Sequence, residues 1–219
     1  METCGARGMT FICEEVINLP KGVIIADHPQ DLVSFREPNC AAAVWERQLM
    51  PEFQSWLNDI PSQNLPEGRL ILRVEDVPDA IVQLCEIAGT KPSTHRDLLV
   101  NDIAALTELF ASLVGSKYIR VRLDKITDNA CSKFHKDAIT ARLVCTYRGT
   151  GTQYGTLEDS EEPLKIHTAP TGAPILLRGK LWPEKPDSGL CHRSPPIDGT
   201  GETRLVLVID PVTDPDRET

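Results

Sequence analysis

The sequence lacks the features that would place the protein in a membrane or outside the cell. No apolar run reaches the roughly 18–20 residues that a membrane-spanning helix needs. The first residues, METCGARGMTFICEEV, do not combine a basic segment with a following apolar stretch, so we expect no secretory signal. These absences predict a cytoplasmic protein with no membrane partner.

The cysteines are poorly arranged for disulfide bonds or structural zinc. Their number, 7, is odd, and none forms a C-x-x-C pair, whereas disulfide frameworks and zinc ribbons show even numbers or close pairs. We interpret most of them as reduced, partly buried thiols. The seven are Cys4, Cys13, Cys40, Cys85, Cys131, Cys145 and Cys191.

Basic residues are also fewer than acidic ones. The chain has 23 basic and 32 acidic residues, which gives a formal net charge of -9. General nucleic-acid binders need clustered lysine and arginine to contact phosphates, so we expect no nucleic-acid partner. The charge balance still leaves room for a local basic pocket that binds a small anion.

The sequence pattern changes character near Gly115. Before this residue helical periodicity dominates, and the best-defined helix is predicted at 94–114, where large apolar residues recur at helical spacing. Further helices are predicted at 41–59 and 77–88. We expect all three to pack an apolar face against a sheet, because most helical stability in proteins comes from such packing.

Short strands and turn-rich loops follow Gly115. The segment 118–124 alternates cleanly between polar and aliphatic residues, as a half-buried strand does. Further strands are predicted at 138–147, 175–178 and 204–210. Several short strands separated by loops rich in glycine, proline, threonine and aspartate are typical of an antiparallel barrel or jelly roll.

His135 and Asp137 have the spacing of a metal-binding pair. On an extended backbone, residues i and i+2 point to the same face, so both side chains can reach one ion. A third ligand must come from elsewhere, and His192, in GLCHRSPP, is the other histidine in a comparably distinctive context. A jelly roll can bring such distant strands together, because its two sheets face each other. Two imidazoles and one carboxylate leave coordination positions open, which suits non-haem Fe(II) and O2 chemistry.

Arg204 is a candidate for binding a co-substrate. It lies twelve residues after His192 and begins an apolar strand. In oxygenases that use 2-oxoglutarate, a basic residue at about that offset binds the far carboxylate, and arginine supplies a permanently charged, bidentate partner. The pattern therefore predicts an Fe(II) site with 2-oxoglutarate as co-substrate.

Residues close in sequence to the ligands are candidates for contacting the metal or the substrate. A thiolate binds iron and zinc well, so Cys131 or Cys191 could approach the metal, although a small buried side chain is the alternative. Arg193 and Ser194 could donate hydrogen bonds to an anionic substrate. Alternatively, they could stabilise the proline turn that follows them. The possible substrate or supporting residues are Cys131, Tyr147, Arg148, Arg193 and Ser194.

These motifs resemble a bacterial family known as domain of unknown function 1826. The resemblance rests on DNACSKFHKDAITARLVCTYRGTGTQY, on LLRGKLW and on GLCHRSPP followed by TRLVLVID, and it extends over most of the chain. The family pattern is in turn similar to the double-stranded β-helix of the Fe(II)- and 2-oxoglutarate-dependent oxygenases. The resemblance implies that His135, Asp137 and His192 are metal ligands and that Arg204 anchors 2-oxoglutarate.

The predicted fold class is α+β, with N-terminal helices packed on a C-terminal antiparallel jelly roll, a cupin-like double-stranded β-helix. Residues 1–115 are expected to be a mainly helical region that supports the barrel. Residues 116–212 are expected to form the metal-binding core, and residues 213–219 a flexible tail.

The leading functional hypothesis is a non-haem Fe(II)-dependent oxygenase that uses 2-oxoglutarate and O2 to oxidise a small-molecule or peptidyl substrate. One alternative is a metal-dependent oxygenase without 2-oxoglutarate, acting on a thiol or a small acid. Another is a non-catalytic, cupin-like metal-binding or metal-homeostasis protein, which a fourth protein ligand such as Cys131 would favour, because closed four-coordinate sites are typically structural. The sequence identifies neither the substrate, nor iron over zinc, nor the oligomeric state.

Overall fold

The structure, a computed structural model, describes residues 19–157, 162–183 and 188–217. The expectations for Cys4 and Cys13 lie outside these residues. So does the end of the predicted tail, although Pro215–Arg217 form one turn of 3-10 helix. The strands are β1 (Val23–Ala26), β2 (Ala42–Trp45), β3 (Gly68–Arg73), β4 (Tyr118–Ile126), β5 (Ala141–Arg148), β6 (Gln153–Thr156), β7 (His167–Thr168), β8 (Pro174–Arg178), β9 (Leu190–Arg193) and β10 (Arg204–Val212). The α-helices are α1 (Pro51–Asp59), α2 (Val77–Ala88) and α3 (Thr94–Val114).

The strands form two sheets in an α+β fold. The larger sheet has seven strands in the order β1-β2-β8-β5-β10-β4-β3, and the smaller one has three in the order β7-β6-β9. Neighbouring strands run antiparallel except β1 and β2, which are parallel and lie before the region 116–212 in which an antiparallel barrel was predicted. The segment between them includes a 3-10 helix, Pro29–Arg36, and is long enough for the crossover that parallel pairing requires.

The region before residue 116 is not only helical, because it supplies both edges of the large sheet. β1 and β2 form one edge, and β3 forms the other. The helix predicted over 41–59 was wrong in its first half: Ala42–Trp45 pair with β8 as a strand, and α1 begins at Pro51. Proline fits the first turn of a helix but not its interior, so Pro51 starts the helix rather than interrupting it.

The other two predicted helices are confirmed. α3 starts where the Ser93 side chain accepts a hydrogen bond from the Arg96 backbone N–H, and ends at Gly115, whose φ of 68° is left-handed. α2 likewise ends at Gly89. Within the described part of the chain, no helix is long and apolar enough to cross a membrane.

Two apolar cores lie on opposite faces of the large sheet. In β10, Leu205, Leu207 and Ile209 join the core that contains the helices, whereas Val206 and Val208 join a second core. The second core also includes residues of the small sheet, such as Tyr154 and Leu190. The alternation along β10 therefore sends every second side chain into the space between the two sheets.

Candidate metal centre

His135 and His192 are brought together by backbone pairing. The His135 N–H donates to the His192 carbonyl at 3.0 Å, and the His192 N–H donates to the His135 carbonyl at 2.9 Å. His192 belongs to β9, whereas His135 forms an isolated bridge and Asp137 lies in the irregular segment before β5. Direct cross-strand pairing places the two imidazoles side by side, with ring centroids 4.6 Å apart.

Asp137 completes a cluster of three converging ligand atoms. These atoms, one from each residue, all lie within 4.8 Å of one another. Asp137 Oδ1 is 3.6 Å from His135 Nε2, and Asp137 Oδ2 is 3.1 Å from His192 Nε2. Oδ2 is buried and has no well-aligned hydrogen-bond donor among the described residues. Two imidazole nitrogens facing a buried, unsatisfied carboxylate oxygen fit a divalent transition metal.

The surroundings favour the metal-binding protonation state at two of the three residues, Asp137 and His192. Burial by itself would raise the pKa of Asp137, but the two imidazoles and the charge of Arg142 hold it well below its usual range. Burial lowers the pKa of His192 despite the opposing effect of Asp137. The contact with Asp137 raises the pKa of His135. Asp137 is thus available as an anion and His192 as a neutral imidazole, the forms that bind metal.

Arg142 forms ion pairs with the carboxylates of both Asp137 and Asp210. Its Nη1 lies 2.7 Å from Asp137 Oδ1, and its Nε and Nη2 donate to both oxygens of Asp210 at 2.6 and 2.8 Å. Asp210 is 2% exposed. Sequence reasoning missed both residues, although a charged residue within the apolar run RLVLVID was a usable signal, because buried charges need partners.

The backbone around Asp137 is fixed by the LLRGKLW segment. The Lys180 N–H donates to the Asp137 carbonyl at 2.8 Å, and the Gly179 N–H donates to the Thr140 carbonyl at 2.8 Å. A Cβ on Gly179 would lie 2.0 Å from the Ile139 carbonyl oxygen, so only glycine allows this approach. The motif therefore positions a candidate ligand that lies some forty residues earlier in the chain.

Arg204 lies in the space between the sheets, in the wall of the same cavity as His135 and His192. The cavity has a volume of about 240 Å³. Arg204 is 1% exposed; its Nε donates to the Thr150 carbonyl at 2.6 Å, and its Nη1 is buried with no hydrogen-bond partner in the described residues. Burial lowers the pKa of Arg204 to about 10. A buried guanidinium with an unused donor facing a cavity is suited to binding a carboxylate.

The structure places three of the remaining candidates on the cavity wall. Cys131 is exposed and lines the cavity, as does Ser194, whose N–H donates to the Cys131 carbonyl at 2.9 Å. Arg193 also borders it, but its guanidinium donates to Gln153 and Glu162. The converging ligand atoms come from two histidines and one aspartate and include no thiol of the described residues.

The candidates Tyr147 and Arg148 contact the helical side of the large sheet, away from the cavity. The Tyr147 hydroxyl donates to Asp102 of α3 at 2.6 Å, and Arg148 Nη1 donates to the Ile60 carbonyl at 2.6 Å. The pairing of β5 with β10 shifts register next to Leu205, which changes the alternation at the end of β5. Neither side chain therefore serves the cavity, and the expectation that they line it was wrong.

The fold defined by these two sheets is similar to that of two solved plant dioxygenases. The chain is similar to dioxygenase for auxin oxidation 1 from Arabidopsis thaliana, solved as a complex with 2-oxoglutarate, with a TM-score of 0.50, 11% identity, and coverage of 92% of this chain and 95% of that one. The dioxygenase for auxin oxidation of rice gives a TM-score of 0.50 at 12% identity, over 90% of this chain and 84% of that one. At such identities the likeness shows the fold alone.

Within that fold class, the chain belongs to the family described as protein of unknown function DUF1826. The family model matches residues 26–210, which confirms the resemblance seen in the motifs. No curated protein matches the chain in sequence.

Proposed function

We propose that the protein is an Fe(II)- and 2-oxoglutarate-dependent oxygenase with a double-stranded β-helix core. One observation carries the proposal: His135 and His192, two members of the cluster of converging ligand atoms, line the same cavity as Arg204, a buried arginine with an unpaired donor. The donor set leaves coordination positions open, and Arg204 supplies the charge that a dicarboxylate co-substrate needs.

The residues of the chain have distinct roles in this proposal. His135, Asp137 and His192 would hold the metal, and Arg204 would bind the far carboxylate of 2-oxoglutarate. When bound, iron and 2-oxoglutarate supply O2 activation and substrate oxidation. Arg142 keeps Asp137 ionised and oriented, and apolar side chains on the inner face of the large sheet keep water away from the site.

Anaerobic titration with Fe(II), followed by 2-oxoglutarate, tests the proposal. We expect one equivalent of metal to bind and 2-oxoglutarate to give a metal-to-ligand absorption band, with succinate formed in air. His135→Ala should abolish metal binding, because it removes one of three ligands. His167→Ala is the control, since His167 stacks on Tyr154 outside the cluster and should leave metal content unchanged. Unchanged metal content in His135→Ala would remove the proposed ligand set.

Arg204→Met should separate metal binding from co-substrate binding. We expect metal to remain bound and 2-oxoglutarate affinity to fall about 10- to 100-fold, because a charged hydrogen-bonding partner is typically worth about 1.5–3 kcal/mol. Calorimetric titration measures both. Arg148→Met, on the other face of the sheet, is the matched control. Equal 2-oxoglutarate affinity in wild type and Arg204→Met would favour an oxygenase without this co-substrate, and metal binding without any 2-oxoglutarate band would favour a non-catalytic metal protein.

A further inference from the structure

The cavity beside the metal cluster is basic, although the chain as a whole is acidic. Apart from the metal cluster, the side chains in its wall include one carboxylate, that of Asp124, and four guanidinium groups. These four belong to Arg122, Arg142, Arg193 and Arg204. A concave site that concentrates positive charge attracts anions, whatever the net charge of the protein.

Two of the four arginines already have carboxylate partners within the protein. Arg142 binds Asp137 and Asp210. Arg193 binds Glu162 at 3.1 Å. A third, Arg204, is assigned to the far carboxylate of 2-oxoglutarate in the proposed function. Because the other carboxylate of 2-oxoglutarate would bind the metal, the co-substrate leaves no charge for Arg122.

Arg122 is weakly partnered for a half-buried side chain, which is 25% exposed. Its Nε is buried with no hydrogen-bond partner in the described residues, and its Nη1 lies 4.0 Å from Asp124 Oδ2, which is too long for a hydrogen bond. Burial raises the pKa of Asp124 although Arg122 opposes the shift, so the arginine does not stabilise this carboxylate strongly. Arg122 therefore has donors to spare.

The strand register places Arg122 between the cluster and the edge of the large sheet. On β4 it lies opposite Val208 of β10, whose other neighbour is Val144 of β5, and both valines line the cavity. Arg204 lies opposite Ile126, four residues further along β4, or about 14 Å at the usual rise per residue. The two guanidinium groups with unpaired donors thus lie at different parts of the cavity.

A second positively charged side chain lies next to Arg122, on the strand at the edge of the sheet. Arg69 of β3 is directly opposite Arg122 on the neighbouring edge strand, and its side chain is exposed. Arg69 and Arg122 thus form a row of two basic side chains from the sheet edge to the cavity wall, beside the acidic residues Glu67 and Asp124.

We propose that Arg122 binds the carboxylate of the substrate, and that the substrate is a small organic acid. This inference rests on the proposed function. It assigns the substrate class by charge: the acid group pairs with Arg122, and the rest of the molecule lies along the valine side chains towards the metal. The cavity volume of about 240 Å³ limits the substrate to a small molecule.

The test uses the full chain loaded anaerobically with Fe(II) and saturating 2-oxoglutarate. The probes are monocarboxylic acids of graded size, including hexanoate, benzoate and phenylacetate, each matched with its neutral amide. Binding is measured as a change in the metal-to-ligand absorption band and as a shift in thermal midpoint. We expect at least one acid to bind at least about tenfold more tightly than its amide, the factor typical of a charged hydrogen bond.

Arg122→Gln should remove this preference for acids, and its 2-oxoglutarate affinity should stay within about twofold of wild type. Arg122→Lys, which keeps the charge but not the planar fork, should give an intermediate loss and serves if Arg122→Gln folds poorly. Arg69→Gln removes a neighbouring charge of the same sign and should weaken acid binding by less than Arg122→Gln.

Two results would overturn the inference: no acid binds better than its amide, or Arg122→Gln weakens 2-oxoglutarate binding as much as acid binding. The second result would assign Arg122 to the co-substrate. Failure of the proposed function looks different, because the wild type would then give no 2-oxoglutarate band. Acid and amide binding to the Zn(II)-loaded protein, followed by thermal shift, would still test Arg122 in that case.

Discussion

At the scale of single residues, the candidate metal centre depends on one guanidinium shared by two carboxylates. Arg142 lies between Asp137, which contacts the two histidines, and Asp210, which is buried in β10. Taking three charges out of water is costly, and the cost is offset only while the hydrogen bonds among them are complete. The same bonds limit the orientations available to Asp137, so the arrangement that stabilises the sheet also positions the ligand.

Arg142→Lys should therefore weaken metal binding while keeping the charge. A lysine ammonium cannot bond both carboxylates in the bidentate manner of arginine, so Asp137 gains freedom and metal affinity should fall about 10- to 100-fold, as for other residues that orient ligands. Metal titration measures the effect. The same substitution at Arg69, which is exposed, should leave metal affinity unchanged. An unaltered affinity in Arg142→Lys would show that Asp137 needs no such support.

The candidate metal ligands were easier to predict from the sequence than the residues that orient them. His135 and Asp137 could be found because a two-residue spacing in one segment is visible in the chain. Asp210 was visible as a charge at the end of an apolar run, but its pairing with Arg142 was not, because that pairing depends on the register between β5 and β10, which no local pattern reveals. The face of the sheet on which Tyr147 lies was predicted wrongly for a related reason. The irregular pairing near the end of β5 changes which face a side chain occupies.

At the scale of elements, short backbone contacts fix the segment that carries Asp137. The chain leaves β8 through Gly179 and passes so close to residues 137–140 that three of its N–H groups donate to carbonyls there. This contact joins the end of β8 to the segment before β5, two elements that also pair in the large sheet. The candidate ligand thus lies on a loop that is held, like a strand, by backbone hydrogen bonds to a neighbouring segment.

Gly179→Ala should displace this loop. Its Cβ would meet the Ile139 carbonyl oxygen at 2.0 Å, which neither backbone can avoid without moving. We expect a loss of about 1–3 kcal/mol in the free energy of unfolding, typical of overpacking, together with weaker metal binding. Denaturant titration and metal titration measure the two effects.

Gly199→Ala is the control for this substitution. Gly199 has a φ of +74° but no atom within 4 Å of an added Cβ, so it should lose stability through backbone strain alone and bind metal normally. If both variants bound metal equally well, the close approach at Gly179 would have no part in positioning Asp137.

Elements with strong periodicity were predicted well, and short ones were not. α3 has long helical periodicity, a capping serine and a terminating glycine, and all three are visible in the sequence. β2 is four residues long and rich in alanine, so its composition favours a helix; only its pairing with β1 and β8 makes it a strand. Tertiary pairing therefore overrode local propensity at this edge of the sheet.

At the scale of the whole molecule, the two halves of the sequence share one sheet. β4 pairs with β3 from the first half and with β10 from the second, and β8 pairs with β2 and β5 in the same way. The helices of the first half cover one face of this sheet. The core expected at 116–212 is thus continuous with elements that precede it.

A fragment of residues 116–219 should consequently fail to fold. It would lose β3 beside β4, β2 beside β8 and the helices that bury one face of the sheet, leaving unpaired edges and an exposed apolar surface. Circular dichroism and the dispersion of amide NMR signals, compared with the full chain, measure this. A well-dispersed spectrum that retains metal binding would instead establish the fragment as an independent domain.

The bridge between His135 and His192 also bears on when the protein can acquire metal during its synthesis. The reciprocal backbone bonds join residues separated by more than fifty positions, and β10, which carries Arg204 and Asp210, is made later still. A ribosome must therefore release most of the chain before the ligands can meet. In the proposed function, iron would therefore enter a nearly finished protein rather than guide its early folding.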